Sequence, residues 1–499
     1  MSSSLPLLEE LINVIDKVLD DPEKPILVYV MIKRDPEEIY MEETKWVVQI
    51  NEELKSNGIS SVHEKEQWKR HSIYRIPSRV TALNEKAYKP QAVSFGPYHH
   101  GEEHLKDMED HKHRALLHFL QRCKKPIELI FHCMDQVVEE LRGSYNPLDE
   151  IWMQDRPRFV QMMIVDGCFM LEILRGSDGV PDDYADNDPV FGQHGKLNVV
   201  PYIKRDMLML QNQLPLTVLR ILIEVENDTN QGEELLMKQM LKFFSPGTPE
   251  TRTLGKCMHV LDVYRKSLIY QGPTHRTRVS KPKRRRRLWR SEEDHGEDEI
   301  IRSATELRDA GIRFVKSRTQ SLSDVSFGGG VLRLPTLVVD DTTEYMFLNL
   351  IAFERLHAET GNDVTSYIFF MDTIIDSEMD VALLNRNGIL VNALGSDKAV
   401  AKLFNSLSKD IAVDPHGVLD VVRMSMSNYC KKPWNMWRAN LIQTYFRNPW
   451  AIVSLVAAVF LFALTIVQTV YTIAQFYQPP TPNSSSSFVK PSPKPWHHP

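Results

Sequence analysis

Five histidines, His99, His100, His104, His111 and His113, fall within one stretch, GPYHHGEEHLKDMEDHKHR at residues 96–114. Imidazole with carboxylate neighbours is the donor set of zinc and iron sites, and Glu102, Glu103, Asp107 and Glu109 supply the carboxylates. His99, His100, His104 and His111 are therefore the metal candidates of this chain, and a metal-dependent enzyme is the alternative function they raise. The spacing argues against it. On a helix from Glu103 to His113, His104 and His111 share a face two turns apart, while His111 and His113 point to different sides. No HExxH pair is present. The expectation is that Tyr98 and His99 shape the Gly-Pro turn by hydrogen bonding, with no metal and no cofactor held.

Asp340, Asp341 and Glu344 form a second acidic group, in DDTTE after an apolar run. Carboxylates at a strand end can act as general acid and base where burial splits their pKa values. The same pattern before an apolar helix is a helix-start signal, and capping is the expected role. Asp166, beside Gly167, sits inside an apolar helical run, where a carboxylate requires a partner; an arginine or a backbone N–H is expected. GxSxG, Walker A and GxGxxG are absent. No catalytic residue is assigned, and the chain is not read as an enzyme.

The elements that must position these residues read as predominantly α-helical, an α+β body with a small β-hairpin. Pro77, Pro90 and Pro97 forbid a long helix early in the body, and Val93–Phe95 favours a short extended segment. Helical patterns follow at Met108–Cys123, at Arg158–Leu174 (apolar nearly all round) and at Asp206–Glu224 with a break at Pro215. Ser303–Phe314 reads as an N-capped helix with Gly311 at its exit. Val325–Phe327 and Val331–Val339 flank three glycines and read as a hairpin. Helices are expected again at Thr342–Phe353, Val364–Ile375 and Asp380–Asn387, the last with Gly388 as its cap.

The balance of 42% hydrophobic and 25% charged residues at a net charge of −6 is that of a folded domain and gives no nucleic-acid footprint. Cys123, Cys133, Cys168, Cys257 and Cys430 make no CxxC pair, so neither a structural zinc nor a disulfide framework is expected, although Cys430 beside Lys431 and Lys432 is a place for S-acylation. Residues 1–60 read as a helical or partly ordered arm and 70–430 as the main domain. The domain is interrupted at about 270–300, where the basic KPKRRRRLWR abuts Glu292, Glu293, Asp294, Glu297, Asp298 and Glu299. That charge-rich insertion cannot bury apolar area. Residues 431–450 form a juxtamembrane stretch, 451–473 a transmembrane helix, and 474–499 a Pro/Ser-rich disordered tail.

Ala451–Val470 carries no charge, and 20 residues at about 1.5 Å each span roughly the thickness of a hydrocarbon core. Trp450, Tyr471 and Tyr477 flank it as interfacial rings. Lys431, Lys432, Arg438 and Arg447 precede the span and only Lys490 and Lys494 follow, so the body is expected on the cytosolic side. The first residues show no signal-peptide pattern, and a tail-anchored single-pass protein is the expectation.

IYRIP at Ile73–Pro77, NEKAYKPQAVSFGPYHHG at Asn84–Gly101, MEDHKHR at Met108–Arg114 and IVDGCFMLEILR at Ile164–Arg175 occur in that order. DMLMLQNQLPLTVL at Asp206–Leu219, SATELRDAGIRF, LPTLVVDDTTE, LNLIAFE and NPWAIVSLVAAV at Asn448–Val459 follow. Together they resemble the plant family called domain of unknown function 247 (DUF247, also termed UPF0481), over about residues 70–475. The resemblance implies single-pass membrane proteins with no established catalytic activity, some grass members being linked to self-incompatibility as pollen-side determinants. The expected function is a non-enzymatic interaction, recognition or signalling module. Its partners are the lipid bilayer and an unidentified protein, with no nucleic acid.

Overall fold

The computed structural model describes residues 45–52, 68–82, 84–176, 179, 183–245, 254–270, 303–409, 418–432 and 449–477. The chain divides into two compact units, residues 1–71 and 72–499. In the first, residues 45–52 and 68–70 are helical; the rest of the expected arm lies outside the described residues, as do the charged insertion at 271–300 and the tail beyond 477.

In the second unit the proline-rich opening allows little regular structure. Ile73–Tyr74 (β1) pairs in parallel with Tyr145–Asn146 (β2). Helix α1 (Asp107–Cys123) buries one stripe, Met108, Lys112, Ala115, Leu116, Phe119 and Cys123, at helical spacing. It ends where Lys124 turns left-handed, and α2 (Ile127–Gln136) follows. Helix α3 (Arg156–Arg175) starts on Asp155, whose side chain accepts the Arg158 N–H, with Pro157 in the first turn. From Phe159 to Leu174 only Gln161 and Val165 escape full burial, because neighbours close round it. Chief among these are α1 and α5 (Leu216–Asn227), the latter reached after α4 (Val200–Asp206). Gly167 permits the approach of α5: a Cβ there would lie 2.6 Å from Leu222 Cδ1 and 2.8 Å from Val218 Cγ1.

The expected helix from Asp206 to Pro215 does not form. Helix α4 stops at Asp206, and residues 207–215 turn, because Asn212 and Gln213 take carbonyls that a helix would have used. Asn212 Nδ2 donates to Asp206 O at 3.0 Å, and Gln213 Nε2 to Met207 O and Met209 O at 2.7 Å each. Helices α6 (Gly232–Phe244) and α7 (Val260–Ile269) complete this half.

The second half begins with α8 (Ala304–Asp309), capped as expected by Ser303, whose hydroxyl accepts from Glu306 N. The helix ends before Gly311 (φ 92°), and Arg313–Lys316 leaves as strand β3 instead of extending the helix to Phe314. The hairpin is present: β4 (Ser326–Gly328) pairs antiparallel with β5 (Val331–Leu334) across Gly329 and Gly330, both at positive φ. Its second strand is shorter than the sequence suggested. Pro335, with no N–H to give a ladder, separates β5 from β6 (Leu337–Val339). Strand β5 pairs with β3, and β6 pairs in parallel with β7 (Leu390–Asn392). Around them lie α9 (Thr343–Leu356), α10 (Asp363–Ile374), α11 (Glu378–Arg386), α12 (Asp397–Leu407) and α13 (Val418–Cys430). A capping box of Ser377 and Asp380 starts α11, and Gly388 follows it at φ 68°.

Glu354 of α9 ties the halves together. Buried, it accepts Arg265 Nε at 2.7 Å from α7, and the Val364 and Thr365 N–H groups at 3.0 and 2.8 Å at the start of α10. Helix α14 (Pro449–Phe476) is apolar and exposed, and its Val453–Phe476 portion is long and apolar enough to cross a membrane. Cys430, where S-acylation is conceivable from the sequence, is buried at the end of α13.

Candidate functional site

The histidine-rich stretch does not converge on one point. His99 Nδ1 lies 2.7 Å from Glu102, its ring buried, and burial lowers its pKa despite that carboxylate. His104 Nε2 meets the Pro90 carbonyl at 3.1 Å, and its Nδ1 lies 3.6 Å from Glu102. His111 is separate, near Arg114 and Asp188, and burial lowers its pKa too. Only His100 and His113 share a cavity, of about 280 Å³, with Glu109, Arg158, Gln161 and Asp166. Among the described residues no three His, Cys, Asp or Glu side chains are placed to hold one metal ion. Tyr98 does fix the turn: its hydroxyl donates to Ile73 O at 3.3 Å, and the Arg75 guanidinium lies 4.6 Å from its ring centroid.

Beneath this cavity lies the polar centre of the body. Lys112, fully buried on the apolar stripe of α1, reaches Asp166 at 2.7 Å, Glu109 at 2.7 Å and Ser94 Oγ at 3.0 Å. An ammonium has three donors, and all three are used. Ser94 Oγ in turn donates to Glu109 Oε1 at 3.3 Å. Asp166 is 1% exposed and also accepts the Gly96 N–H at 2.8 Å. Burial raises its pKa against the pull of Lys112. The expected partner was an arginine or a backbone N–H; the cation is a lysine from the neighbouring helix, and the backbone N–H is there too.

Residues 91–95 join no strand, and side chains satisfy their backbone instead. Asp206 Oδ2 accepts the N–H groups of Gln91, Ala92 and Val93 at 2.9, 2.6 and 3.1 Å. Asn212 accepts the Phe95 N–H at 2.7 Å and donates to Val93 O at 3.0 Å. Gly96 (φ 72°) has no room for a side chain: a Cβ would lie 2.8 Å from both Gln213 O and Tyr145 Oη. Burial pushes the Asp206 carboxyl up to about 6, against the three N–H donors.

Asp340 does not cap the helix: the N-cap is Thr342, with no side-chain cap bond, and Asp340 Oδ1 holds the turn before it, accepting the Thr342 N–H at 3.0 Å and the hydroxyls of Thr342 and Thr343. Asp341 is exposed, and Glu344 accepts Asn84 Nδ2 at 3.0 Å. The acidic group is thus divided among structural contacts. Lys112, Asn212 and Gln213 were missed from sequence. Their signal was present: Lys112 lies four residues from Met108 and from Leu116 on one buried face, and Asn212 and Gln213 interrupt an apolar run.

The family model for DUF247, described as a plant protein of unknown function, matches residues 73–464. The chain is 31% identical over 422 residues to the UPF0481 protein At3g47200 of Arabidopsis thaliana, an alignment covering 81% of this chain and 86% of that protein. It is 23% identical to the putative UPF0481 protein At3g02645 of the same plant, over 90% of this chain and 97% of the relative. No solved structure matches it. Residues 91–96, held by Asp166, Asp206 and Asn212, lie inside the matched region, and the chain belongs to the DUF247 family of plant proteins of unknown function.

Proposed function

We propose that this protein is a membrane-anchored binding module that acts by recognition and not by chemistry of its own. The observation that carries the reading is α14, whose Val453–Phe476 portion has no share buried within the fold. Leaving such a surface in water forfeits about 25 cal/mol per Å² of apolar area, which a bilayer recovers. Trp450, Tyr471 and Tyr477 at its ends are exposed, as interfacial anchors are. The buried polar groups support the second half of the reading. Lys112, Asp166, Asp206 and Glu354 hold backbone and each other, which leaves them committed to architecture.

The excess of Lys431, Lys432, Arg438 and Arg447 before the helix favours a cytosolic body. Asn227 of the Asn-Asp-Thr sequon is exposed at the end of α5 and reports on this. With the full-length chain in plant microsomes, we expect added protease to digest the body without detergent and Asn227 to remain unglycosylated. A protected body carrying a glycan at Asn227 would reverse the orientation and with it the proposal of a cytosolic module.

A further inference from the structure

Away from the histidine-rich stretch, a cavity of about 320 Å³ opens where α4 and α6 of the first half meet α7 and the start of α9. Its apolar walls include Phe244, Tyr264 and Tyr345, and two adjacent cations, Lys204 and Arg205, line it. Among the described residues neither cation forms an ion pair. Lys204 Nζ donates to the Phe243 carbonyl at 2.9 Å and lies 5.6 Å from the Phe244 ring centroid. The Arg205 guanidinium is stacked 3.8 Å from the Tyr345 ring centroid and donates through Nη2 to Lys86 O at 2.9 Å. Its Nε is buried with no partner. The Tyr264 hydroxyl donates only to the thioether of Met346, at 2.8 Å, a weak acceptor.

One carboxylate, Asp340, also lines the cavity, and its Oδ1 is engaged by the Thr342 N–H and the Thr343 hydroxyl in the turn before α9. Two cations and one carboxylate line the cavity, a surplus of one positive charge along its walls, with Asp206 acting on Arg205 from outside the lining. Desolvation makes that surplus costly, and burial lowers the Lys204 pKa. A monoanion would relieve the cost through charge-assisted hydrogen bonds. The aromatic walls select for a flat apolar body behind that charge, and the volume is at the lower end for ligand pockets, which sets the size at one or two fused rings.

We propose that this cavity binds a small ring-bearing carboxylate, its anion between Lys204 and Arg205 and its ring against Tyr345, Phe244 and Tyr264. The site does not depend on α14 or on the orientation of the body. The test uses the full chain in detergent micelles, with benzoate, phenylacetate and indole-3-carboxylate as probes read by saturation-transfer NMR and calorimetry. Phenylacetamide and inorganic phosphate are the controls. At least one acid should bind saturably with a dissociation constant of about 1 mM or tighter, with neither control binding comparably. Lys204→Gln and Arg205→Gln should each weaken binding about tenfold or more, the loss expected of a hydrogen bond to a charged group. Lys204→Gln removes a bond to a carbonyl and ammonium contacts with the Phe243 and Phe244 rings but no ion pair, so it serves if Arg205→Gln lowers the unfolding midpoint. The proposal is overturned if no acid binds, if amide or phosphate binds as well as the acids, or if a folded Lys204→Gln variant binds like the parent chain.

Discussion

Lys112 and Asp166 are the buried pair beneath the histidine-rich stretch. Their charges are buried together, and removing one leaves the other uncompensated, a loss of about 3–5 kcal/mol. Lys112→Met should lower unfolding free energy by that amount in denaturant titration. Lys112→Met with Asp166→Asn should cost less than the sum of the single changes, because the asparagine still accepts the Gly96 N–H. Additive costs would show that the pair is not coupled. A second residue-scale prediction concerns pH. His259 is buried, its pKa lowered by burial to about 4 from 6.5, while that of Asp206 is raised by burial from 3.8 to about 6. Between about pH 4 and 6.5 the unfolded chain binds a proton at residue 259 that the folded one refuses, so this contribution is full above 6.5 and lost as pH falls. Asp206 has the opposite sign: its contribution is full below 3.8 and lost as pH rises through 6. Each is worth about 3 kcal/mol, and they oppose one another. Asp206→Asn should therefore make stability climb more steeply with pH across this window, as measured by unfolding at several pH values; an unchanged slope would contradict the assignment. The sequence exposed Asp166 as a problem, since a carboxylate stood in an apolar run. It did not expose the solution, because the lysine that answers it lies on another helix and looked like one more charge among histidines.

Helix packing puts a different demand on the sequence. Gly167 lets α5 lie close against α3, and the atoms a methyl group would meet belong to Val218, stiff at its β-branch, and Leu222. Gly167→Ala should cost about 1–3 kcal/mol by overpacking, despite the higher helix propensity of alanine. Thermal unfolding checks it, and a variant more stable than the parent would mean that α5 shifts freely. The helices with continuous patterns were legible, among them α1, α3, α9, α10 and α11, since burial on one or all faces is written in spacing. Three breaks were not. Residues 207–215 carry helical spacing, yet Asn212 and Gln213 capture carbonyls locally. Pro335 divides one expected strand between two sheets, and Gly311 releases Arg313–Lys316 into a strand whose partner lies beyond the hairpin turn. The first turns on side-chain bonds four to six residues away, the other two on strand partners distant in sequence, and periodicity encodes neither.

At the scale of the whole molecule, a body closed by buried ion pairs is joined in one chain to a helix that the fold leaves uncovered. The helix was the most legible element of all, because an uncharged run of this length has few uses outside a bilayer. The candidate ligand cavity was the least legible: its cations and aromatic rings come from four segments between residues 201 and 349. The central claim is that α14 enters the membrane and carries the body with it. Alkaline carbonate extraction of plant microsomes holding the full-length chain, beside a chain ending before Pro449, tests it most directly. The account predicts that the full chain stays in the pellet while the shorter one is released. Release of the full chain into the supernatant would contradict it.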